Sequence, residues 1–431
     1  MNDWVEQKLI PKVMKVINVK PMQALKNGML VTMPIIIIGS IFLLISNFPI
    51  PAFVSWVKET GLYQVFDHAY SSSFGIISFI AVIAIPYHYA KLDHNDGLAA
   101  GMIGLVCFII MLQDKLTVKS TEISNIIDKN WINGQGMISA IIIGLLVGYI
   151  YNFFINRNIK IKLPEQVPAN VASSFTALIP GAVLICLFLG IYAFFDKVYH
   201  TTMVEMIYRA IQIPLQSVTD SFMGALIIAF TIPFLWCFGI HGSTLIGGIM
   251  QPLLTANSMD NQAILDAGKE LTVANGGHIV TQQFLDQAIN LSGAGVTFGI
   301  VIFLVFFAKS KQNKTLGGLS GVPALFNINE PITFGLPIVL NPLMFIPFIL
   351  TPILTAIITY IALRLGLVPL FGAVILPWTT PPVISGFLIA GWRFALLQIV
   401  ILAMSFFVYY PFVKKIDNMN LKVEGVNNDD K

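Results

Sequence analysis

The run Ser221–Ser243, SFMGALIIAFTIPFLWCFGIHGS, decides the fold. Its first twenty residues carry no charge and are almost wholly apolar. That is the length a helix needs to cross a hydrocarbon core about 30 Å thick. The run then breaks at apolar depth on Gly239, His241 and Gly242, where an ordinary membrane helix would simply end in a polar loop. Similar apolar runs lie at roughly 28–48, 71–90, 97–113, 136–155, 175–195, 295–308, 342–363 and 393–412. The stretch 366–390 is also apolar but is interrupted by Pro369, Pro377, Pro381 and Pro382. These runs predict about ten crossings.

Composition agrees. Of 431 residues, 56% are hydrophobic and only 11% charged, against about a quarter charged in a soluble domain. The net charge of +3 gives no electrostatic footprint for nucleic acid. Cys107, Cys186 and Cys237 sit singly in apolar runs and read as small buried hydrophobes, not as a disulfide framework or a metal cluster. No cofactor motif is present, and no cleavable signal is visible at the N-terminus. There Val5, Leu9, Val13 and Ile17 recur at helical spacing opposite Lys8, Lys12 and Lys15, the pattern of a basic helix lying on a membrane surface. Residues 199–211, with Met203, Ile207 and Ile211 against Glu205 and Arg209, read as a second interfacial helix or as a solvated loop.

The Lys/Arg bias places the N-terminus, the Arg157–Lys160–Lys162 loop and the Lys414–Lys415 tail in the cytoplasm. The Lys309–Lys311–Lys314 cluster asks for the same side, which simple crossings cannot satisfy. Some apolar segments are therefore expected to enter and leave on one face.

Three segments break the helical pattern at apolar depth: Trp236–Thr244, Gly317–Pro331 and Pro377–Pro382. Irregular backbone at that depth is tolerated only against protein or a water-filled cavity, and Gly/Pro-interrupted apolar segments mark transporter binding sites. Taken singly, each reads better as a kink or inter-helix turn; three of them carrying polar residues point to a site. Glu330 is the only acidic residue between Asp286 and Asp417, and a carboxylate kept in such surroundings is a candidate to bind a hydroxyl or take its proton. His241 is the only ionisable side chain other than cysteine between Asp220 and Asp260, flanked by Gly239 and Gly242. Trp236 and Trp378 offer flat faces for sugar rings, and Asn327 and Asn329 offer forked amides for hydroxyls. His88 and Asp96 are weaker candidates, readable as loop or interface residues.

The ordered series Gly239-Ile240-His241-Gly242, Asn327-Ile328-Asn329-Glu330-Pro331 and Pro377-Trp378-Thr379-Thr380-Pro381-Pro382 resembles the membrane component, enzyme IIC, of the bacterial phosphoenolpyruvate-dependent sugar phosphotransferase system, in its lactose/cellobiose/diacetylchitobiose branch. The resemblance covers essentially the whole chain. It implies an all-α polytopic protein of the cytoplasmic membrane, with about ten transmembrane helices, two re-entrant hairpins, interfacial amphipathic helices and a homodimer. Residues 1–198 would form the dimer scaffold and 199–211 a linker helix. Residues 212–415 would form the sugar-binding half, re-entrant near 236–295 and 316–337, with 416–431 a cytoplasmic tail. It further implies a permease that couples uptake of a disaccharide to phosphorylation at the 6-hydroxyl, the phosphoryl group coming from a separate IIB protein. His241 and Glu330 would contact that hydroxyl, Trp236, Asn329 and Trp378 would complete the sugar contacts, and His88 and Asp96 would serve the far ring. Composition alone equally fits an ion-coupled sugar transporter with Glu330 as the coupling site.

Overall fold

The computed structural model describes residues 19–118, 121–124, 126–161, 175–336, 338 and 341–429. The expected N-terminal surface helix lies outside them. The described residues are mainly α-helical, and their one β element is the antiparallel hairpin Lys115–Val118 with Thr121–Ser124. With no water in hydrocarbon, a spanning backbone must satisfy its amides internally, which is why these apolar runs are helices.

Among the described residues six helices are long and apolar enough to span: Lys20–Ser46, Leu62–Lys91, Gly134–Asn156, Leu178–Tyr199, Leu343–Arg364 and Trp392–Gly425. Met203–Thr219 with Phe222–Cys237 makes a seventh if that bent pair counts as one. Gly97–Ile110 and Phe298–Phe306 are apolar but shorter. The proline-broken stretch 366–390 is mostly non-helical, with one short helix at Ile384–Ala390.

The chain divides into two compact units, each discontinuous in sequence. The first takes residues up to Gly39, His68–Ser217 and Gly248–Ala256; the second takes Ser40–Asp67, Val218–Gly247 and Asn257 onward.

The first unit is built around α2 (Ile77–Lys91), against which α1 (Lys20–Ser46), α3 (Gly97–Ile110) and α4 (Met137–Asn156) pack through glycines. A Cβ on Gly28 would come within 2.7 Å of Ile85, one on Gly104 within 2.6 Å of the Val82 carbonyl, and one on Gly148 within 2.6 Å of Tyr89. Between membrane helices the drive to associate is close van der Waals packing, and small residues permit it. One end of this bundle is tied by Asp93, which accepts from Lys20 and from the amides of Asn152 and Asn156. α5 (Leu178–Phe194) completes the unit and leaves Leu178, Leu187 and Leu189 exposed, as a lipid-facing helix does.

The second unit holds α6 (Phe222–Cys237), the end of α7 (Gly242–Asp266), α8 (Phe298–Phe306), α9 (Lys311–Leu325), α10 (Glu330–Gly335), α11 (Pro342–Arg364) and α12 (Trp392–Asp429). Leu291, Val296 and Ile401 form a core cluster, and the buried Tyr409 hydroxyl donates to the Gly295 carbonyl at 2.7 Å. α9 and α10 form a hairpin turned at Phe326–Asn329. At six residues α10 is too short to cross a membrane by itself. The tail continues α12 as helix to Asp429, and Asp417 and Glu424 accept from the amides of Lys309–Gln312 at the start of α9.

Replacing Gly148 by leucine should overpack the α2–α4 contact and cost about 1–3 kcal/mol. Thermal unfolding of the detergent-solubilised protein measures it. A melting temperature equal to the wild type's would contradict the close approach.

Candidate functional site

All three sequence breaks fall in the second unit, and the structure joins them there. α6 ends at Cys237, and Gly239, at φ 75°, turns the chain. His241 then caps α7: its Nδ1 accepts from the Thr244 backbone N–H at 3.2 Å and lies 2.8 Å from the Thr244 hydroxyl. A backbone N–H can only donate, so Nδ1 is an acceptor, and the ring hydrogen of the neutral imidazole resides on Nε2. Gly242 is forced by contact, since a Cβ there would strike the Ile232 carbonyl of α6.

The Trp236 ring lies against His241, centroids 4.5 Å apart, and meets Phe334 edge-on at 6.3 Å. Phe334 stands one helical turn after Glu330 on α10, and residues four apart share a helix face. One buried indole thus joins the His241 turn to the helix that Glu330 opens. Trp236 is buried, and its Nε1 hydrogen has no acceptor. His241 and Glu330 are both exposed.

The two asparagines of the Asn327-Ile328-Asn329 turn have separate work. Asn327 adopts the left-handed conformation at φ 60°, which asparagine tolerates better than most residues. Its Oδ1 accepts from Ser292 N at 2.7 Å, and its Nδ2 donates to the carbonyls of Trp378 at 2.7 Å and Thr380 at 2.9 Å. The amide expected to read a hydroxyl is committed to backbone, and it stitches the second break to the third. Asn329 donates to the Ala294 carbonyl at 2.7 Å and packs where a Gly293 side chain would sit. Trp378, held by its carbonyl, keeps half of its surface exposed.

His88 and Asp96 belong to the first unit. His88 lies near the end of α2 with its ring edge-on to Tyr87. Asp96 caps α3, accepting from Leu98 N and Ala99 N. Among the described residues no group of three or more His, Cys, Asp or Glu side chains is arranged to hold a metal ion.

A polar cluster that sequence reading did not single out lies in the second unit. His278 Nδ1 is 3.0 Å from Asp220 Oδ2, and its Nε2 is 3.7 Å from Asp260 Oδ2. Asp220 Oδ1 also accepts from Ile279 N and Val280 N. The one sequence signal is the pair Gly276-Gly277 immediately before His278.

Asn327→Asp keeps the acceptor for Ser292 and loses both donated bonds, leaving two carbonyls in need of partners. The expected cost is about 1–3 kcal/mol, read as a lower melting temperature in detergent. A variant as stable as the wild type would mean that the amide does not hold the Trp378 segment.

Residues 26–352 match the model of the phosphotransferase system EIIC family. The chain is 35% identical to the lichenan permease IIC component of Bacillus subtilis over 99% of this chain and 95% of that protein. It is 34% identical to the cellobiose-specific EIIC component of Geobacillus stearothermophilus over 95% and 92%. The crystal structure of the transporter ChbC, the IIC component of the N,N'-diacetylchitobiose-specific phosphotransferase system, superposes with a TM-score of 0.93 at 34% identity, covering 98% of this chain and 99% of that one. The chain belongs to the EIIC family: it is the multi-pass membrane permease component of a sugar phosphotransferase system.

Proposed function

We propose that this permease takes up a β-linked disaccharide of the cellobiose, diacetylchitobiose or lactose type and presents its 6-hydroxyl for phosphorylation, with Glu330 and His241 holding that hydroxyl. The carrying observation is the Trp236 ring, which touches His241 and also touches Phe334, one turn from Glu330. The names of the relatives, lichenan, cellobiose and diacetylchitobiose permeases among them, support the substrate class.

The geometry suggests a division of labour. His241 Nδ1 is occupied by Thr244, so its Nε2–H donates to the sugar O6 and orients it. Glu330, an acceptor when ionised, takes the O6 proton. O6 then attacks the phosphorus of a cysteine-phosphate on a separate IIB protein. The O6–P bond forms as the P–S bond breaks, and the sulfur leaves as thiolate. Phosphoryl transfer asks the protein mainly for placement and charge, which a capped histidine and a carboxylate on a short helix can supply. Cys107 and Cys237 are buried, and Cys186, expected to be buried, is instead exposed midway along α5 between the exposed Ile185 and Leu187, an apolar helix face unsuited to a phosphocysteine, so the phosphoryl carrier is assigned to the partner protein. The product carries fixed negative charge and cannot return through an apolar path. Trp378, half exposed, would contact the rings, with the buried Trp236 and Asn329 completing the wall behind it. His88 and Asp96 are the candidates for the far ring. The reading includes a homodimer built through the first unit and lipid against the exposed apolar faces.

Glu330→Gln and His241→Ala should each lower sugar phosphorylation by about 100-fold or more, in membrane vesicles supplied with the phosphoryl-transfer proteins and a panel of disaccharides. Normal phosphorylation by both variants would overturn the site.

A further inference from the structure

The stretch 371–376 has no regular secondary structure and leads directly into Trp378. Its backbone is held almost wholly by side chains. Asn261 donates to the Phe371 carbonyl at 2.8 Å, Gln283 to the carbonyls of Gly372 at 2.6 Å and Val374 at 3.0 Å, and Ala373 N donates to Gln262 Oε1 at 3.1 Å. Ser40 donates to the Ile375 carbonyl. Beyond it, Asn327 holds Trp378 and Thr380.

The residues that grip this stretch are in turn registered on one another. α7 presents Asn257, Ser258, Asp260, Asn261 and Gln262 in succession. Asn257 donates to the Val280 carbonyl and Ser258 to Gln283, while Asn261 brackets His278 through both its N–H and its C=O. The His278 imidazole closes the arrangement, lying between Asp260 on α7 and Asp220 at the turn before α6. Asp220 receives the next two amides. The groups facing the imidazole are these two carboxylates; the Tyr360 hydroxyl of α11 donates to the Asp220 backbone carbonyl at 3.4 Å. The 371–374 stretch brings backbone only to the side chains that grip it. Without the imidazole two carboxylates face each other with no cation between them, and like charges at this separation repel.

We propose that His278, bridged between Asp220 and Asp260, is a positioning residue that keeps α7 and the 278–283 turn in register and so fixes the 371–376 stretch and the Trp378 it presents. The part concerning sugar rests on the reading of Trp378 as a ring contact; the part concerning position does not. Burial opposes charging of His278, but hydrogen bonds and charge from Asp220 and Asp260 outweigh it and push the imidazole up to about 9. It binds its proton more tightly in the folded protein. The stabilisation is therefore complete below the ordinary value of 6.5 and is lost as pH rises through about 9.

The test compares wild type, His278→Gln and the double variant His278→Gln/Asp260→Asn, in which the unbalanced charge is removed. Hydrogen–deuterium exchange of the full-length protein in detergent at neutral pH should run about tenfold faster at 371–376 in His278→Gln, and should return toward wild type in the double variant. In vesicles the wild-type KM for sugar should rise through about pH 9, with kcat less affected. The double variant should lack that rise. Unchanged exchange at 371–376 in His278→Gln would overturn the proposal. If His278→Gln does not fold, the double variant and the wild-type pH profile still decide it: recovery and an alkaline KM rise uphold it, and a flat wild-type profile with no recovery overturns it. Faster exchange with an unchanged KM upholds the positioning role and removes Trp378 from the sugar contacts.

Discussion

A backbone amide in hydrocarbon has no water to bond, and every departure from the helix in this molecule has to bring its own partner. At several places where the second unit leaves helical geometry, a side-chain amide serves backbone groups that a helix would have satisfied. Asn327 serves three backbone groups, Gln283 two, and Asn261 three counting both groups of His278. These residues let irregular chain persist in the second unit, which also holds the exposed His241, Glu330 and Trp378.

The two units meet the same constraint differently. The first contains few breaks, and its glycines let α1, α3 and α4 approach α2 so closely that backbone touches side chain. Its polar knot at Asp93 sits at helix ends. The second unit spends its polar residues inside. Each buried amide there costs desolvation that only a formed bond offsets, so the network holds as a whole and tolerates loss of a partner poorly. Rigidity in one unit therefore comes from steric fit, and in the other from hydrogen bonds around a prospective ligand.

Much of this was legible in the sequence because it is local. Charge-free runs gave the helices, and Gly239, Pro331 and the 377–382 prolines gave the breaks. The isolation of His241 and Glu330 in long uncharged stretches marked them before any fold was known. What was not legible is what depends on pairing across the chain. Asn327 and Asn329 are two residues apart and identical in type, and only the third segment, about fifty residues on, reveals that the first is a staple. His278 was passed over for a similar reason. Its partner Asp220 is 58 residues away, and neither periodicity nor composition connects an acid at a helical turn to a histidine in a polar stretch. The prolines of 366–390 mark an interruption but not its form; within it, 371–376 lacks regular secondary structure and is gripped by Asn261 and Gln262 of α7, Gln283 and Ser40.

The capping role of His241 carries the last step. A histidine used only as a helix cap could be replaced by serine or aspartate, which cap better. A histidine used only as a free ligand would not need a fixed tautomer. Here the cap fixes the tautomer, because the Thr244 amide takes Nδ1 and leaves a donor at Nε2. The start of α7 is therefore built so that secondary structure and hydrogen-bond polarity are decided by one contact. In the proposed site the same contact would leave proton acceptance to Glu330, whose helix is reached through Trp236 and Phe334. In the proposed site the donor that a sugar hydroxyl requires would follow from how the break at His241 is capped, and the acceptor from the carboxylate that opens α10.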